Sequence, residues 1–175
     1  MKISKLAVAL ALCGTAFAAT AQTATTNMAV SATITGACTL LANPLAFSVY
    51  DPAAATPLDA SSTIVLTCTT GAGSVLALNQ GLGSTGTGLT TQRRLRSGAV
   101  NALNYAIYQP ATALPAAACA YTDTWGTGTL VGATLAIGAA PSGTARSFNV
   151  CGRIPAGQVQ PAGTYVDTVV VTVTL

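Results

Sequence analysis

The sequence has 175 residues, no histidine and no glutamate, and only 6% of it is charged. Its four acids, Asp51, Asp59, Asp123 and Asp167, are well separated along the chain. General acid–base work usually draws on histidine or paired carboxylates, and no Gly-x-Ser-x-Gly elbow is present. An enzyme is therefore not expected, and no catalytic residue is assigned. No Cys-x-x-Cys pair exists, and there is no histidine to complete a zinc site. Neither a metal nor a cofactor is expected. The glycine, serine and threonine stretch from Gly81 to Gly88 lacks a following Gly-Lys-Ser/Thr, so it is not read as a phosphate cradle. Long hydrophobic runs are missing as well. Leu6 to Leu12 is too short to span a bilayer, and no later run is longer, so no transmembrane segment is expected.

The only lysines are Lys2 and Lys5, and they lie just before that apolar run. Ala19-Thr20-Ala21 offers a small-residue cleavage site, with Ala16-Phe17-Ala18 as an alternative. Residues 1–21 therefore read as a signal peptide, and the mature chain as starting at Gln22. Cleavage would remove Cys13, leaving four of five cysteines. It would also leave five basic residues against four acidic ones. The formal charge of +3 thus belongs largely to the leader, and no nucleic-acid partner is expected. The cluster Arg93-Arg94-Leu95-Arg96 reads as a solvated loop or an edge strand.

The whole sequence is 51% hydrophobic and rich in Ala, Thr, Gly and Val, which suits one rigid β domain. The strongest strand signal is Gly163 to Leu175, β-branched almost throughout. Val169, Val171, Val173 and Leu175 share its inward face. The last eight residues carry no charged side chain, and no strand follows to cover the edge, which suggests a strand arriving from elsewhere. A second alternating stretch, Asn27 to Thr35, places Met28, Val30, Ala32 and Ile34 in one phase. Further strands are predicted over Ser62–Cys68, Ser74–Asn79 as its returning hairpin partner, Arg93–Ser97, Leu103–Tyr108 and Thr144–Ile154. Leu45, Phe47 and Val49 predict a short strand in a proline-rich stretch, and Trp125 a cap on the core at a turn. Short strands punctuated by Gly and Pro argue for an all-β sandwich.

Four cysteines in an exported chain suggest two disulfides and allow three pairings. Cys38 is in phase with Met28, Val30, Ala32 and Ile34, and Cys68 with Ile64 and Leu66, so Cys38–Cys68 and Cys119–Cys151 are preferred. Cys151 is out of phase with Phe148 and Val150, which predicts an outer-face location for the second bridge.

Three stretches together resemble the spore coat protein U domain, the unit of archaic (Csu-type) chaperone–usher pilins. One is the N-terminal alternation running into Thr35-Gly36-Ala37-Cys38. Another is Leu103-Asn104-Tyr105-Ala106-Ile107-Tyr108 followed by Thr122-Asp123-Thr124-Trp125-Gly126-Thr127-Gly128. The third is Gly152-Arg153-Ile154-Pro155-Ala156-Gly157 with Pro161-Ala162-Gly163-Thr164-Tyr165-Val166-Asp167-Thr168 and the terminal valines and threonines. The pair Cys119 and Cys151 is not a fixed feature of that family. The resemblance implies an incomplete immunoglobulin-like sandwich lacking its last strand, completed by a donor strand from a neighbouring subunit. Residues 22–35 would be the donor strand and 36–175 the pilin domain. Met28, Val30, Ala32 and Ile34 would be the donor residues, and Val169, Val171, Val173 and Leu175 the acceptor strand. The implied partners are neighbouring copies or related pilins, a periplasmic chaperone and an outer-membrane usher. The implied function is that of a structural subunit exported through the periplasm into a surface pilus that supports adhesion and biofilm formation. The rival expectation is a secreted monomeric coat or carbohydrate-binding β-sandwich, in which residues 27–35 are simply the first strand.

Overall fold

The computed structural model describes residues 23–69, 73–139 and 143–175. The expected signal peptide and its cleavage site lie outside the described residues. The chain divides into two units, one ending at Thr33 and the other running from Ile34 to Leu175. In the first, residues 23–33 carry neither helix nor strand.

The second unit consists of nine strands and one short 3-10 turn at Gly88–Thr90 among the described residues. Its larger sheet has the order β1-β2-β8-β5-β4, with β6 also on β5. These strands are β1 (Cys38–Ala42), β2 (Leu58–Cys68), β4 (Arg93–Ser97), β5 (Asn101–Pro110), β6 (Cys119–Thr124) and β8 (Ala145–Ile154). The smaller sheet has the order β7-β3-β9, built from β3 (Ser74–Leu78), β7 (Leu135–Ile137) and β9 (Val171–Thr174). All named ladders are antiparallel. The long β2–β8 ladder is the spine, and Ile64 stands opposite Phe148 there. Inward residues of both sheets meet in one core: Ile64, Leu66, Leu76, Leu78, Tyr105, Ile107, Trp125, Phe148, Val150 and Ile154. Burying that apolar surface, at about 25 cal/mol per Å², is what holds the sheets face to face.

The structure corrects several sequence expectations. β3 does not return beside β2. It crosses to the other sheet and pairs with β7 and β9. Adjacency in sequence predicts a hairpin, but the chain uses this link to start the second layer. The terminal strand is also much shorter than its β-branched run suggests. Only Val171–Thr174 form β9, and before it there is an isolated bridge from Arg96 to Val166. Propensity marks what suits a strand, whereas a ladder needs a neighbour. Leu45, Phe47 and Val49 form no strand either, and Val49 is exposed while Leu45 and Phe47 pack on the core.

Two disulfides brace the larger sheet. Cys38 and Cys68 are opposed across the β1–β2 ladder and bonded. In the chain-entropy picture, closing a loop of that length stabilises by about 3.5 kcal/mol. Cys119 on β6 is bonded to Cys151 on β8. Cys151 has the opposite phase to Phe148 and Val150, yet it is fully buried. The segment between β5 and β6 covers that face, where Ala116 N donates to Ser147 O and Asn149 Nδ2 to Ala117 O.

Candidate binding groove

The sandwich is open along one side. β1 is the edge of the larger sheet and β9 the edge of the smaller one. Just before β9, Asn79 N donates to Val170 O, and Val170 N donates to the Asn79 side chain. Leu82 N likewise donates to Thr168 O. Main-chain groups of the even-numbered residues therefore point toward β3. By the alternation of an antiparallel ladder, those of Val169, Val171 and Val173 point the other way. Among the described residues, no strand lies there to receive them.

Beneath this edge runs an apolar groove. One cavity of about 320 Å³ is bordered by Ala42, Leu45, Phe47, Leu78, Ile107, Val150, Val169 and Val171. A second, of about 680 Å³, is bordered by Leu45, Phe47, Tyr50, Leu95, Leu103, Ile154 and residues 160–167. Leu45, Phe47, Leu95 and Asp167 border both, so the two cavities adjoin. Leu45 and Phe47 reach the core because Gly152 lies beneath them. A Cβ at Gly152 would come within 2.7 Å of both side chains. Phe47 also meets Tyr105 edge-on, with ring centroids 6.1 Å apart.

A polar network lies at the groove's inner end. Arg93 is fully buried, contrary to the expected solvated position, although β4 is indeed an edge strand. Its guanidinium donates to the carbonyls of Leu78, Asn79 and Trp125. Burial lowers its pKa to about 10, and nearby Tyr105 and Asp167 partly oppose that shift. Tyr105 donates its hydroxyl to Asp167 at 2.8 Å. Burial, together with that bond, pushes the Tyr105 phenol well above its ordinary value. Trp125 is likewise fully buried and donates Nε1–H to Leu76 O, so its ring is not available to stack on a sugar.

The predicted residues fall as follows. Val169, Val171 and Val173 are half-buried and pack against the core, and the first two border the smaller cavity. Leu175 lies past the end of β9 and is 52% exposed. Met28, Val30 and Ile34 are 83%, 82% and 81% exposed, and Ala32 is exposed too. Sequence reasoning missed the opposite wall, Leu45 and Phe47 with Leu95 and Leu103. Alternation at 45 and 47 was the available signal. No group of three or more His, Cys, Asp or Glu gathers anywhere among the described residues. Among them, no helix is long and apolar enough to cross a membrane.

Residues 24–172 match the family model described as Spore Coat Protein U domain. The chain belongs to the Spore Coat Protein U domain family. A relative named "Protein U" from Myxococcus xanthus is 34% identical over 169 residues, spanning 89% of this chain and 87% of that protein. The fold recurs in a crystal structure of the CsuC-CsuE chaperone-tip adhesion subunit pre-assembly complex, from archaic chaperone-usher Csu pili of Acinetobacter baumannii. That likeness has a TM-score of 0.52 at 21% identity and covers 82% of this chain. The present chain spans 40% of the length of that solved chain. The spore coat U domain described here is thus an all-β, incomplete immunoglobulin-like sandwich, and the groove lies on its unfinished side.

Proposed function

We propose that this spore coat U domain is a structural, non-catalytic pilin subunit that polymerises by donor-strand exchange. The observation that carries the reading is the unpaired edge of β9 beside two adjoining apolar cavities. Residues 23–37 of the same chain form no strand. Residues 22–35 of one copy would lie along β9 of another copy or of a related pilin, with Met28, Val30, Ala32 and Ile34 directed into the groove. Burying those side chains stabilises by very roughly 5–8 kcal/mol at 25 cal/mol per Å². The ladder to Val169, Val171 and Val173 satisfies the free edge. Each subunit gives one strand and receives one, so the contact is heterologous and extends into a filament.

Before assembly the groove needs a temporary occupant. The fold is shared with a chain from a chaperone–subunit complex, which supports a periplasmic chaperone in that role and an outer-membrane usher that exchanges it. The product is a surface pilus that supports adhesion and biofilm formation. The family description, Spore Coat Protein U domain, also favours a second reading, a secreted monomeric coat protein.

Val30→Arg separates the two. In the exchange reading the variant still accepts a strand, so it co-purifies with its chaperone but forms no filaments by electron microscopy. In the monomer reading, Val30 stays exposed and needs no partner, so parent and variant alike are folded, capture no chaperone and form no filaments. Normal filaments from the variant would overturn the donor assignment.

A further inference from the structure

The terminal segment has to present Val169, Val171 and Val173 to the groove, yet its sequence scarcely specifies that register. From Val166 it reads Val-Asp-Thr-Val-Val-Val-Thr-Val-Thr, with three valines in succession. A slip of two residues along β3 keeps the same phase. A slip of one exchanges the faces but still sets Val170 inward. The segment has one sheet neighbour at β9 and a single bridge upstream at Val166. Apolar pattern and ladder length therefore leave the register weakly fixed before any incoming strand binds.

One side chain distinguishes the registers. Asp167 Oδ1 accepts from Gly83 N at 3.0 Å and from Thr168 N at 2.8 Å, and Oδ2 accepts from Tyr105 Oη at 2.8 Å. Its seat is shaped by Gly81, at φ 79°, where a Cβ would collide with the carboxylate. The loop that forms the seat is itself anchored, because the buried Arg93 holds the carbonyls of Leu78 and Asn79. Three residues beyond Asp167, Val170 is gripped from both main-chain sides by Asn79. In any slipped register the carboxylate leaves this seat, and Gly83 N and the Tyr105 hydroxyl lose their acceptor.

We propose that Asp167 is the register pin of the terminal strand, a positioning residue that holds Val169, Val171 and Val173 in the groove wall before a donor strand arrives. The importance of that wall rests on the proposed function, whereas the register itself can be tested without it.

Ala77 and Thr172 stand opposite each other on the β3–β9 ladder. In the full chain produced in the periplasm, Ala77→Cys with Thr172→Cys reports the native register. Ala77→Cys with Thr174→Cys reports a two-residue slip, and Ala77→Cys with Val171→Cys a one-residue slip. After mild oxidation, peptide mapping gives the ratio of native to slipped cross-links. With Asp167 present, the native pair dominates. Asp167→Ala should lower the ratio at least tenfold. Asp167→Asn, which keeps an acceptor for Gly83 N but not for the Tyr105 hydroxyl, should lower the ratio only a few-fold. Tyr105→Phe removes one of the three bonds and should lower the ratio a few-fold. An unchanged ratio in Asp167→Ala overturns the proposal. If that variant is not recovered, an unchanged ratio in Tyr105→Phe overturns it equally. Normal filaments from Val30→Arg would remove the donor reading and leave these ratios as they are, so the two failures are distinguishable.

Discussion

Replacing Arg93 by methionine keeps most of its volume and removes its charge and its donors. Three buried carbonyls, those of Leu78, Asn79 and Trp125, then lose their partner. At about 2 kcal/mol each, the loss is roughly 6 kcal/mol. Against this stands the cost of burying the cation. The depression from 12.5 to about 10 corresponds to roughly 3 kcal/mol at about 1.4 kcal/mol per pH unit. The net expectation is a loss of about 3 kcal/mol, a large part of a typical domain's stability. Lysine should not rescue the site, because it keeps the charge but presents its donors from one point instead of a planar fork. Arg94→Ala is the control. That neighbour is half-exposed and bonds only Gly83 O, so its removal should cost under about 1 kcal/mol. The single tryptophan, Trp125, is fully buried and reports unfolding in urea by its fluorescence. With a slope of about 1–2 kcal/mol per M, the midpoint of Arg93→Met should fall by roughly 2 M. A midpoint within about 0.5 M of the parent, a quarter of the expected fall, would refute this account of the buried network.

Two further outcomes follow from the groove. Val171→Asp places a carboxylate among core side chains on a half-buried position and should cost upward of about 3 kcal/mol, whereas Val170→Asp, on the exposed face, should leave the midpoint nearly unchanged; equal effects would show that the inward phase is misassigned. Stability should also decline as pH rises above about 10. There the unfolded Tyr105 loses its proton while the folded one keeps it, so the folded state binds more protons. Arg93, whose folded value is depressed, contributes the opposite slope in the same window. Comparing Tyr105→Phe with the parent therefore isolates the tyrosine, and an equally steep alkaline decline in both would contradict its assignment.

Period-two alternation made β2, β5 and β8 legible in the sequence, because each is a long strand with one face in the core. It placed Tyr105, Ile107, Phe148 and Val150 inward, where they lie. It overstated the terminal strand, since the same valines suit a ladder whether or not a neighbour is present. Arg93 was misread because charge clusters usually face water. Its burial depends on carbonyls 14, 15 and 32 residues away, which no local window contains. The wall at Leu45 and Phe47 depends in turn on a missing Cβ at Gly152, more than a hundred residues further on.

The position of the Cys38–Cys68 bond has a mechanical consequence. It sits on the first residue of β1, where the chain leaves residues 23–37 and enters the sandwich. A pull on the N-terminal segment arrives at that residue before it reaches any ladder bond of β1. Without the bridge, the antiparallel β1–β2 pair would be loaded at one end and would unzip pair by pair. With it, the load passes covalently into Cys68, the last residue of the 11-residue β2. Tension then acts on the β2–β8 ladder and on the core behind it, so the five-residue edge strand β1 is spared the force that any neighbour could apply.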